Sequence, residues 1–248
     1  MTRVVEIEGV KVGGGTPLVL IAGPCVVESE ELMLKTAESV KRTTEALGMG
    51  FIFKSSYKKD NRSSPTAYSG PGVSEGLRIL GKVKEEFSVP VLSDVHCKYE
   101  VEEAAAILDV LQIPAFLSHQ TDLAIAVGRT GKAVNIKKSQ STAPEDMANP
   151  ISKVEHTGNK RILLTERGAS FGYSRLVVDM RSFPILASFG YPVIFDVTHS
   201  VRVYGKPSED PLGGEPGFVP YLARAAVACG IDGIFIETHP SPSQALCD

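Results

Sequence analysis

Short apolar runs rich in β-branched residues recur along the chain and predict buried strands. Each run is nearly continuous rather than alternating, which is typical of strands covered on both faces in a parallel sheet. Segments with helical spacing lie between the runs, and this alternation predicts the α/β class. The runs cover residues 18–22, 50–54, 90–94, 110–114, 133–137, 161–165, 192–196 and 233–237.

Three of the intervening segments carry helix signals. Residues 29–47 have acidic residues in the first turn and Gly48 just past the end, and residues 218–229 are alanine-rich and stop at Gly230. Residues 142–145 have the spacing of a capping box, with proline in the first turn. Eight strands alternating with helices favour a (β/α)8 TIM barrel, and a doubly wound open sheet is the alternative fold.

The two ends of the chain differ from the repeating unit. Residues 4–12, with Gly9 and Val10 past the midpoint, predict a small hairpin that would plug the bottom of the barrel. After the eighth run only residues 241–248 remain, so an eighth helix of normal length is expected to be missing. No low-complexity stretch or linker divides the chain, and residues 1–248 are interpreted as one barrel domain.

Composition and charge exclude several classes of protein. The chain is 43% hydrophobic and 22% charged, which is typical of a folded globular protein. The net charge is −3 without a basic tract, so nothing indicates nucleic acid or an anionic membrane as a partner. No apolar run has the length of a membrane span, and the first residues do not resemble a signal peptide. The four cysteines lie far apart without a CxxC pair, and we expect reduced thiols in a cytoplasmic protein.

Polar residues follow seven of the eight runs, at the strand ends where a barrel enzyme carries its chemistry. One such ending means little, because capping acids and snorkelling lysines are common. Seven on one rim favour a functional site over a solvated surface. One subset is basic and suits a phosphate and a carboxylate, although each cation could instead pair with a nearby acid. The basic residues are Lys54, Lys59, Arg62, Lys137 and Arg167.

A second polar subset has the chemistry of a metal site. It consists of Cys25, His199, Glu237 and Asp248. A thiolate, an imidazole and two carboxylates suit zinc, iron, manganese or cobalt. The side chains would come from strands one, seven and eight and the loop beyond, which are neighbours in a closed barrel. Spacing alone does not establish the site, because a lone buried cysteine is often a small apolar core residue.

Ordered motifs from about Pro17 to Asp248 resemble the 3-deoxy-D-manno-octulosonate 8-phosphate synthase family. They are AGPCVVES (22–29), FKSS (53–56), NRSS (61–64), SDVH (93–96), IPAFL (113–117), QTDL (120–123), VNIKK (134–138), FGY (171–173), LVVDMR (176–181), VIFDVTHS (193–200) and FIETHP (235–240). Synthases of the shikimate-pathway seven-carbon acid share the barrel but match these motifs less closely. The resemblance implies condensation of phosphoenolpyruvate with D-arabinose 5-phosphate and water, a step of lipopolysaccharide biosynthesis, by a homotetramer.

The resemblance also implies a metal and assigns the substrate contacts. Cysteine in the first-strand motif marks the metal-dependent class, because the metal-free class has asparagine there. The implied ligands of one divalent ion (Mn, Fe, Co or Zn) are Cys25, His199, Glu237 and Asp248. Phosphoenolpyruvate is expected at Lys54, Lys59, Lys137 and Arg167, and the aldose phosphate at Asn61, Arg62 and Ser63. The expected catalytic residues are Lys54, Asp94 and His199.

Three departures from the family pattern concern the acceptor side. Ser118 and His119 stand where the family has an arginine before Gln120 that reaches the acceptor phosphate in a neighbouring subunit. His119 is expected to replace it, although histidine is shorter and only partly charged at neutral pH. An aromatic residue is missing from residues 137–142, and an arginine is missing before Phe218.

These departures leave three interpretations of the function open. Ordinary divergence would keep arabinose 5-phosphate as the acceptor. An altered acceptor would be an aldose that lacks the terminal phosphate or differs in length. A non-catalytic phosphosugar-binding relative is the third interpretation, and the retention of the metal-ligand set and the phosphoenolpyruvate cations opposes it.

Overall fold

The computed structural model describes residues 1–62, 64–171, 174–203, 205–206, 210 and 213–247. Ser63 and Asp248, two residues with expected functions, therefore lie outside the described residues. The described strands are β1 (Val5–Ile7), β2 (Val10–Val12), β3 (Val19–Gly23), β4 (Gly50–Lys54), β5 (Val91–Asp94), β6 (Val110–Ile113), β7 (Ala133–Lys137), β8 (Ile162–Glu166), β9 (Ala169–Ser170), β10 (Leu176–Val177), β11 (Val193–Asp196) and β12 (Gly233–Glu237). The described helices are α1 (Glu30–Ala46), α2 (Val73–Phe87), α3 (Val101–Ile107), α4 (Thr121–Arg129), α5 (Ala148–Glu155), α6 (Ser182–Ser188), α7 (Val197–Ser200) and α8 (Val219–Ala228).

Eight of these strands form a closed parallel barrel in the order β11-β12-β3-β4-β5-β6-β7-β8. Each apolar run in the sequence overlaps one barrel strand to within one residue, so the predicted (β/α)8 barrel is confirmed and the open sheet is wrong. Closure brings the carboxyl ends of β3, β11 and β12 next to one another, although they lie far apart in sequence. No helix within the described residues has the length and apolar character needed to cross a membrane.

The N-terminal hairpin β1–β2 fills the amino-terminal end of the barrel. Val5, Ile7 and Val12 are buried in one apolar cluster that also contains a side chain from every barrel strand, among them Val19 of β3 and Phe235 of β12. Its turn uses two residues with positive φ, as a tight hairpin turn requires. The expected plug is therefore present, and the open end of the barrel is the carboxyl-terminal one.

Helix α1 packs on the outside of the barrel through one apolar face. The Ser29 hydroxyl accepts a hydrogen bond from the Leu32 N–H at 3.2 Å, which caps the helix start. Met33 and Ala37, one turn apart, are buried against the barrel. Gly48, with φ of 63°, follows the end of the helix, so both predicted boundaries of α1 are confirmed.

Two expectations about helix ends have different outcomes. The capping box at residues 142–145 is wrong, because Pro144–Met147 forms a 3-10 turn whose N-cap is Ala143 and which has no side-chain cap. The Thr142 hydroxyl bonds to the His119 ring instead. The alanine-rich helix is confirmed as α8, which precedes β12. Beyond β12 the residues described up to 247 contain the 3-10 turn Pro242–Gln244 and no α-helix.

Candidate active site

Charged side chains converge on a small cavity at the carboxyl ends of the barrel strands. Its polar lining combines cations with one carboxylate and two imidazoles, and three neighbouring residues of the loop after β6 complete it. The lining residues are Lys59, Asn61, Asp94, His96, Pro114, Ala115, Phe116, Lys137, Arg167 and His199. A larger cavity, of about 530 Å³, lies between the loops after β7 and β8 and contains none of the site residues predicted from the sequence.

A buried ion pair joins β4 to β12 beneath this cavity. The Lys54 ammonium lies 2.5 Å from Glu237 Oε1 and donates to the Cys25 carbonyl oxygen at 2.9 Å. Lys59 reaches the same carboxylate oxygen at 3.8 Å. Burial alone would raise the pKa of Glu237, but the charges of Lys54, His199 and Lys59 outweigh it and hold that pKa below its ordinary value. Glu237 is therefore ionised at neutral pH.

A second buried group links β7 to β11. Asp196 Oδ2 accepts hydrogen bonds from the Lys137 ammonium at 2.5 Å and from His199 Nδ1 at 2.7 Å. Burial would raise the pKa of Asp196, but His199 and Lys137 lower it below its ordinary value. Burial lowers the pKa of Lys137, and the charge of Asp196 partly offsets this effect. Because an ionised carboxylate only accepts, His199 carries a proton on Nδ1, and Nε2 points toward Glu237 Oε2 at 3.8 Å.

Asp94 is the carboxylate in the cavity wall. Oδ2 accepts from the Ser56 hydroxyl at 2.6 Å, and Oδ1 accepts from the Gln112 amide at 2.6 Å. The Lys59 ammonium lies 3.4 Å from Oδ2. Burial would raise the pKa of Asp94, but Lys59 and then Lys54 hold it well below its ordinary value. Asp94 is therefore a fixed negative charge beside the cations.

The expected metal ligands are only partly assembled in the described part of the chain. Among the residues that the structure describes, no group of three or more His, Cys, Asp and Glu side chains is arranged to hold a metal ion. Glu237 Oε2 is nevertheless buried without a hydrogen-bond partner, close to His199 Nε2. The fourth expected ligand, Asp248, lies outside the described residues.

Cys25, the expected sulfur ligand, is buried next to a second thiol. Its Sγ atom lies 2.8 Å from the Sγ atom of Cys247. Burial, this contact and the nearby charge of Glu237 all raise the pKa of the Cys25 thiol, so a cation would be needed to form the thiolate. The donor types and the unsatisfied oxygen of Glu237 therefore fit a divalent ion of borderline softness.

Comparison with known proteins places this site in a family. The family model described as "DAHP synthetase I family" matches residues 2–248. The chain belongs to the DAHP synthetase I family. Proteins named 2-dehydro-3-deoxyphosphooctonate aldolase are 58% identical in Geobacter sp. (strain M21), 60% in Trichlorobacter lovleyi and 54% in Geobacter sulfurreducens, each over 248 residues. The alignments cover 100% of this chain and 90%, 91% and 91% of those proteins.

The high identity to proteins named 2-dehydro-3-deoxyphosphooctonate aldolase confirms the resemblance that the sequence motifs carry. The name of these relatives is the alternative name of the 3-deoxy-D-manno-octulosonate 8-phosphate synthases. The cations expected to hold phosphoenolpyruvate lie at one place: Lys59, Lys137 and Arg167 line the cavity, and Lys54 lies buried beneath it. Arg167 donates to Gln140 Oε1 at 3.0 Å, which fixes one arm of its guanidinium.

Residues expected on the acceptor side are spread more widely. Asn61 lines the cavity. Arg62 instead donates to Cys247 Sγ at 2.8 Å and to the Leu246 carbonyl oxygen at 3.4 Å, so it anchors the C-terminal segment. His119 lies outside the set of described residues that line the cavity, and its Nε2 is 2.8 Å from Thr142 Oγ1.

Several residues in the cavity wall or in contact with it were not predicted as site residues from the sequence. His96 is one of them, and its Nδ1 atom is buried without a hydrogen-bond partner. It lies two residues after Asp94 in the SDVH motif, which is a signal that could have identified it. Asp196, the partner of Lys137 and His199, ends β11 just as Glu237 ends β12, and the same rule of strand ends would have included it. Phe116 carries no signal that distinguishes it from a core aromatic residue.

Proposed function

We propose that the protein condenses phosphoenolpyruvate with D-arabinose 5-phosphate and water, giving 3-deoxy-D-manno-octulosonate 8-phosphate and inorganic phosphate. The observation that carries the proposal is the convergence of Lys59, Lys137 and Arg167 with the ionised Asp94 around one cavity. Relatives named 2-dehydro-3-deoxyphosphooctonate aldolase, 54–60% identical over the whole chain, support it. The cations suit the carboxylate and phosphate of phosphoenolpyruvate, since charge-assisted contacts bind such groups strongly.

The proposed reaction follows from holding two anionic substrates in register. Carbon 3 of phosphoenolpyruvate forms a bond to the aldehyde carbon of the acceptor. The aldehyde oxygen takes up a proton and becomes a hydroxyl group. Positive charge then develops at carbon 2, and water adds there with loss of a proton. The resulting phosphohemiketal releases phosphate and leaves the ketone of the product. Fixing both substrates in one orientation supplies much of the rate in such a reaction.

The charges of the site match the charges that develop in these steps. Lys137 and Arg167 hold the phosphoenolpyruvate anion, and Lys54 and Lys59 balance the carboxylates of Glu237 and Asp94. The Asp94 carboxylate is ionised and fixed by Ser56 and Gln112, so it stabilises positive charge at carbon 2 without reorganisation. His96 faces the same cavity and is the nearest imidazole to Asp94 along the chain.

The proposed holoenzyme contains one divalent ion, Mn, Fe, Co or Zn, bound by Cys25, His199, Glu237 and Asp248. The Nδ1 proton that His199 donates to Asp196 leaves Nε2 for the ion, and this carboxylate–imidazole pairing is common behind metal-binding histidines. When bound, the ion supplies Lewis-acid polarisation of an oxygen atom. Elemental analysis should give one equivalent of metal per chain in the parent and much less in Cys25→Ala. Metal content unchanged by that substitution would exclude Cys25 as a ligand.

The function is tested by an acceptor panel with phosphoenolpyruvate, followed by phosphate release and mass spectrometry. The panel contains arabinose 5-phosphate, unphosphorylated arabinose, ribose 5-phosphate and erythrose 4-phosphate. We expect the highest kcat/KM for arabinose 5-phosphate and a product of its predicted mass. Phosphate release with none of the acceptors would favour the non-catalytic relative. A clearly better acceptor than arabinose 5-phosphate would show that the substrate specificity differs.

His119 is the residue to vary in the same panel. An arginine there would restore the permanent charge and the two-pronged donor of the family pattern. An altered acceptor is the second candidate, because histidine lacks the permanent charge of the arginine in the family pattern. We expect His119→Arg to raise kcat/KM for arabinose 5-phosphate more than for arabinose. If arginine restores nothing and another acceptor ranks first in both proteins, the substrate that we propose is wrong, although condensation of phosphoenolpyruvate could stand.

The proposal includes a homotetramer acting in the cytoplasm. The tetramer is proposed because the family arginine that His119 replaces acts across a subunit boundary. The cytoplasm is proposed because the proposed substrates are phosphorylated metabolites.

A further inference from the structure

A chain of buried polar side chains crosses the barrel interior and ends on Asp94. Asp94, Gln112 and Asn135 are register partners on the adjacent strands β5, β6 and β7. Gln112 Nε2 lies 2.6 Å from Asp94 Oδ1, Asn135 Nδ2 lies 2.7 Å from Gln112 Oε1, and Thr165 Oγ1 of β8 lies 2.7 Å from Asn135 Oδ1. Gln112, Asn135 and Thr165 are fully buried. We call these three residues the amide relay.

The direction of every hydrogen bond in the amide relay is determined by Asp94. An ionised carboxylate only accepts, so the Gln112 group that faces it must be the amide nitrogen. The Gln112 oxygen then faces Asn135 and must accept from its amide nitrogen, which leaves the Asn135 oxygen to accept from the Thr165 hydroxyl. Reversing Gln112 would place its carbonyl oxygen against the Asp94 carboxylate. Reversing Asn135 alone would place its oxygen against the Gln112 oxygen, so that two acceptors would face each other. Only one arrangement therefore satisfies all four groups.

We propose that Gln112, Asn135 and Thr165 are positioning residues that orient the Asp94 carboxylate for the reaction. The proposal rests on the function proposed above. Buried polar groups of this kind are costly unless every member is satisfied, and an apolar barrel interior would pack equally well without them. The other contacts of Asp94, Ser56 and Lys59, bind Oδ2, so within the described residues Gln112 is the side chain that fixes Oδ1.

The test removes the far end of the amide relay without touching Asp94. Thr165→Val keeps the shape of the side chain and deletes the donor to Asn135, whereas Thr165→Ser keeps the hydroxyl. We expect Thr165→Val to lower kcat by roughly tenfold to a hundredfold, since small misplacements of a reacting geometry have effects of this size. The KM for each substrate should change by less than about threefold, because Asp94 acts on charge that develops after binding. Thr165→Ser should restore most of the turnover.

A matched control separates positioning from the general effect of losing a buried hydroxyl. Thr36 is buried in α1 and donates to the Leu32 carbonyl oxygen at 2.8 Å, far from the site in the outer layer. Thr36→Val should leave kcat unchanged at a temperature where thermal unfolding shows both variants folded. Equal losses of kcat in Thr36→Val and Thr165→Val would overturn the proposal.

A double variant tests whether the effect passes through Gln112. Gln112→Met keeps the length of the side chain and removes the donor to Asp94, so it should lower kcat at least as much as Thr165→Val. Adding Thr165→Val to Gln112→Met should then cause little further loss, because neighbours in one network are not additive. Multiplicative losses would show that the two residues act independently and would sink the idea. If Thr165→Val does not fold, Gln112→Met alone tests the proposal, and a kcat equal to that of the parent would overturn it.

The parent protein separates failure of the amide relay from failure of the proposed function. If the parent releases phosphate and Thr165→Val has the same kcat, the positioning role of the amide relay is wrong and the proposed function is retained. If the parent releases no phosphate with any acceptor, the side-chain amide resonances of selectively labelled Gln112 carry the test. An intact relay predicts that they shift in Thr165→Val and not in Thr36→Val, and unshifted resonances in both would overturn it.

Discussion

At the scale of single residues, the site is built from charges that are buried and paired. Lys54 with Glu237, and Lys137 with Asp196, are almost inaccessible to solvent. Removing one member of such a pair leaves the other charge buried without its partner. This lowers the stability of the fold more than removing a surface charge does. The pairs therefore hold the lysine side chains in place at the carboxyl ends of the barrel strands.

Arg167 offers a direct test of the phosphoenolpyruvate site. Arg167→Ala should raise the KM for phosphoenolpyruvate and lower kcat, because one charge-assisted contact, about 1.5–3 kcal/mol, is lost in the transition state. Steady-state kinetics at saturating acceptor measures both effects. Arg78→Ala is the matched control, since Arg78 is exposed on α2 and pairs with Glu75 and Glu30. Kinetics of Arg167→Ala indistinguishable from the parent would place this residue outside the site.

Asp94 should make stability depend on pH in the acid range. Its folded pKa is depressed by Lys59 and Lys54 against the opposing effect of burial. The sign follows from linkage: the contribution is complete above about pH 5 and is lost as the pH falls through about 4 toward the folded pKa. Asp94→Asn should therefore be less stable than the parent at pH 7, and the difference should narrow below about pH 4.

Urea unfolding between pH 7 and pH 3 measures this difference in the free energy of unfolding. Asp122→Asn is the control, because Asp122 pairs with Lys98 on the surface and its side chain is 75% exposed. Its substitution should change little at any pH, since exposed pairs are screened by solvent. A difference between parent and Asp94→Asn that stays constant across the range would contradict the depressed pKa.

The sequence predicts the positions of the functional residues better than their partners. Lys54, Lys137 and Glu237 are foreseeable because a strand end in a barrel points to the catalytic rim. The pairing of Lys137 with Asp196 is not foreseeable, because it depends on the stagger between strands that lie about 60 residues apart. Arg62 illustrates the limit: the contact of its guanidinium with Cys247 depends on a neighbour that only the folded chain provides.

At the scale of elements, the hairpin β1–β2 depends on glycines that differ in their surroundings. Gly9 has φ of 83° and an added Cβ would meet nothing within 4 Å, whereas a Cβ on Gly13 would lie 2.4 Å from the Arg3 carbonyl oxygen and 2.7 Å from Pro192 Cγ. Gly13→Ala should destabilise the protein by about 1–3 kcal/mol more than Gly9→Ala, because overpacking adds to the strain of a positive φ.

Denaturant midpoints of the two glycine variants check this order. Both should keep the kcat of the parent at a temperature where they are folded, because the hairpin lies at the end of the barrel opposite the cavity. Equal midpoints would show that the contact between the hairpin and Pro192 is not tight. A lowered kcat would show instead that the plug influences the site.

Elements with a strong periodic pattern are predictable, and those that depend on one side-chain contact are not. The eight barrel strands and α1 follow from apolar runs and caps that act locally. The capping box at residues 142–145 fails because the Thr142 hydroxyl has a better partner, the His119 ring, 23 residues earlier in the chain. A motif that is satisfied locally in one protein can therefore be used by a tertiary contact in another.

At the scale of the whole molecule, we expect four copies of the 26.5 kDa chain to associate. Phe116, which lines the candidate active-site cavity, is 61% exposed, and Phe171, which lines the larger cavity, is 74% exposed. Large apolar side chains exposed near a site favour burial by another chain. Light scattering at working concentration should return the mass of a tetramer, and Phe171→Ser should shift it toward smaller species. A monomer in the parent would refute the tetramer.

The plugged barrel also determines when the molecule can become complete during its synthesis. The hairpin is synthesised before its partners, yet Thr2 bonds to Asp232, and Val5 packs in one cluster with Phe235. A ribosome adding about 5–20 residues per second needs roughly ten to fifty seconds to reach these partners. Until then the native partners of the hairpin's apolar face are not all synthesised, and its strands can pair with other nascent chains. The segment that closes the finished barrel is thus the one that depends longest on chaperones to prevent aggregation.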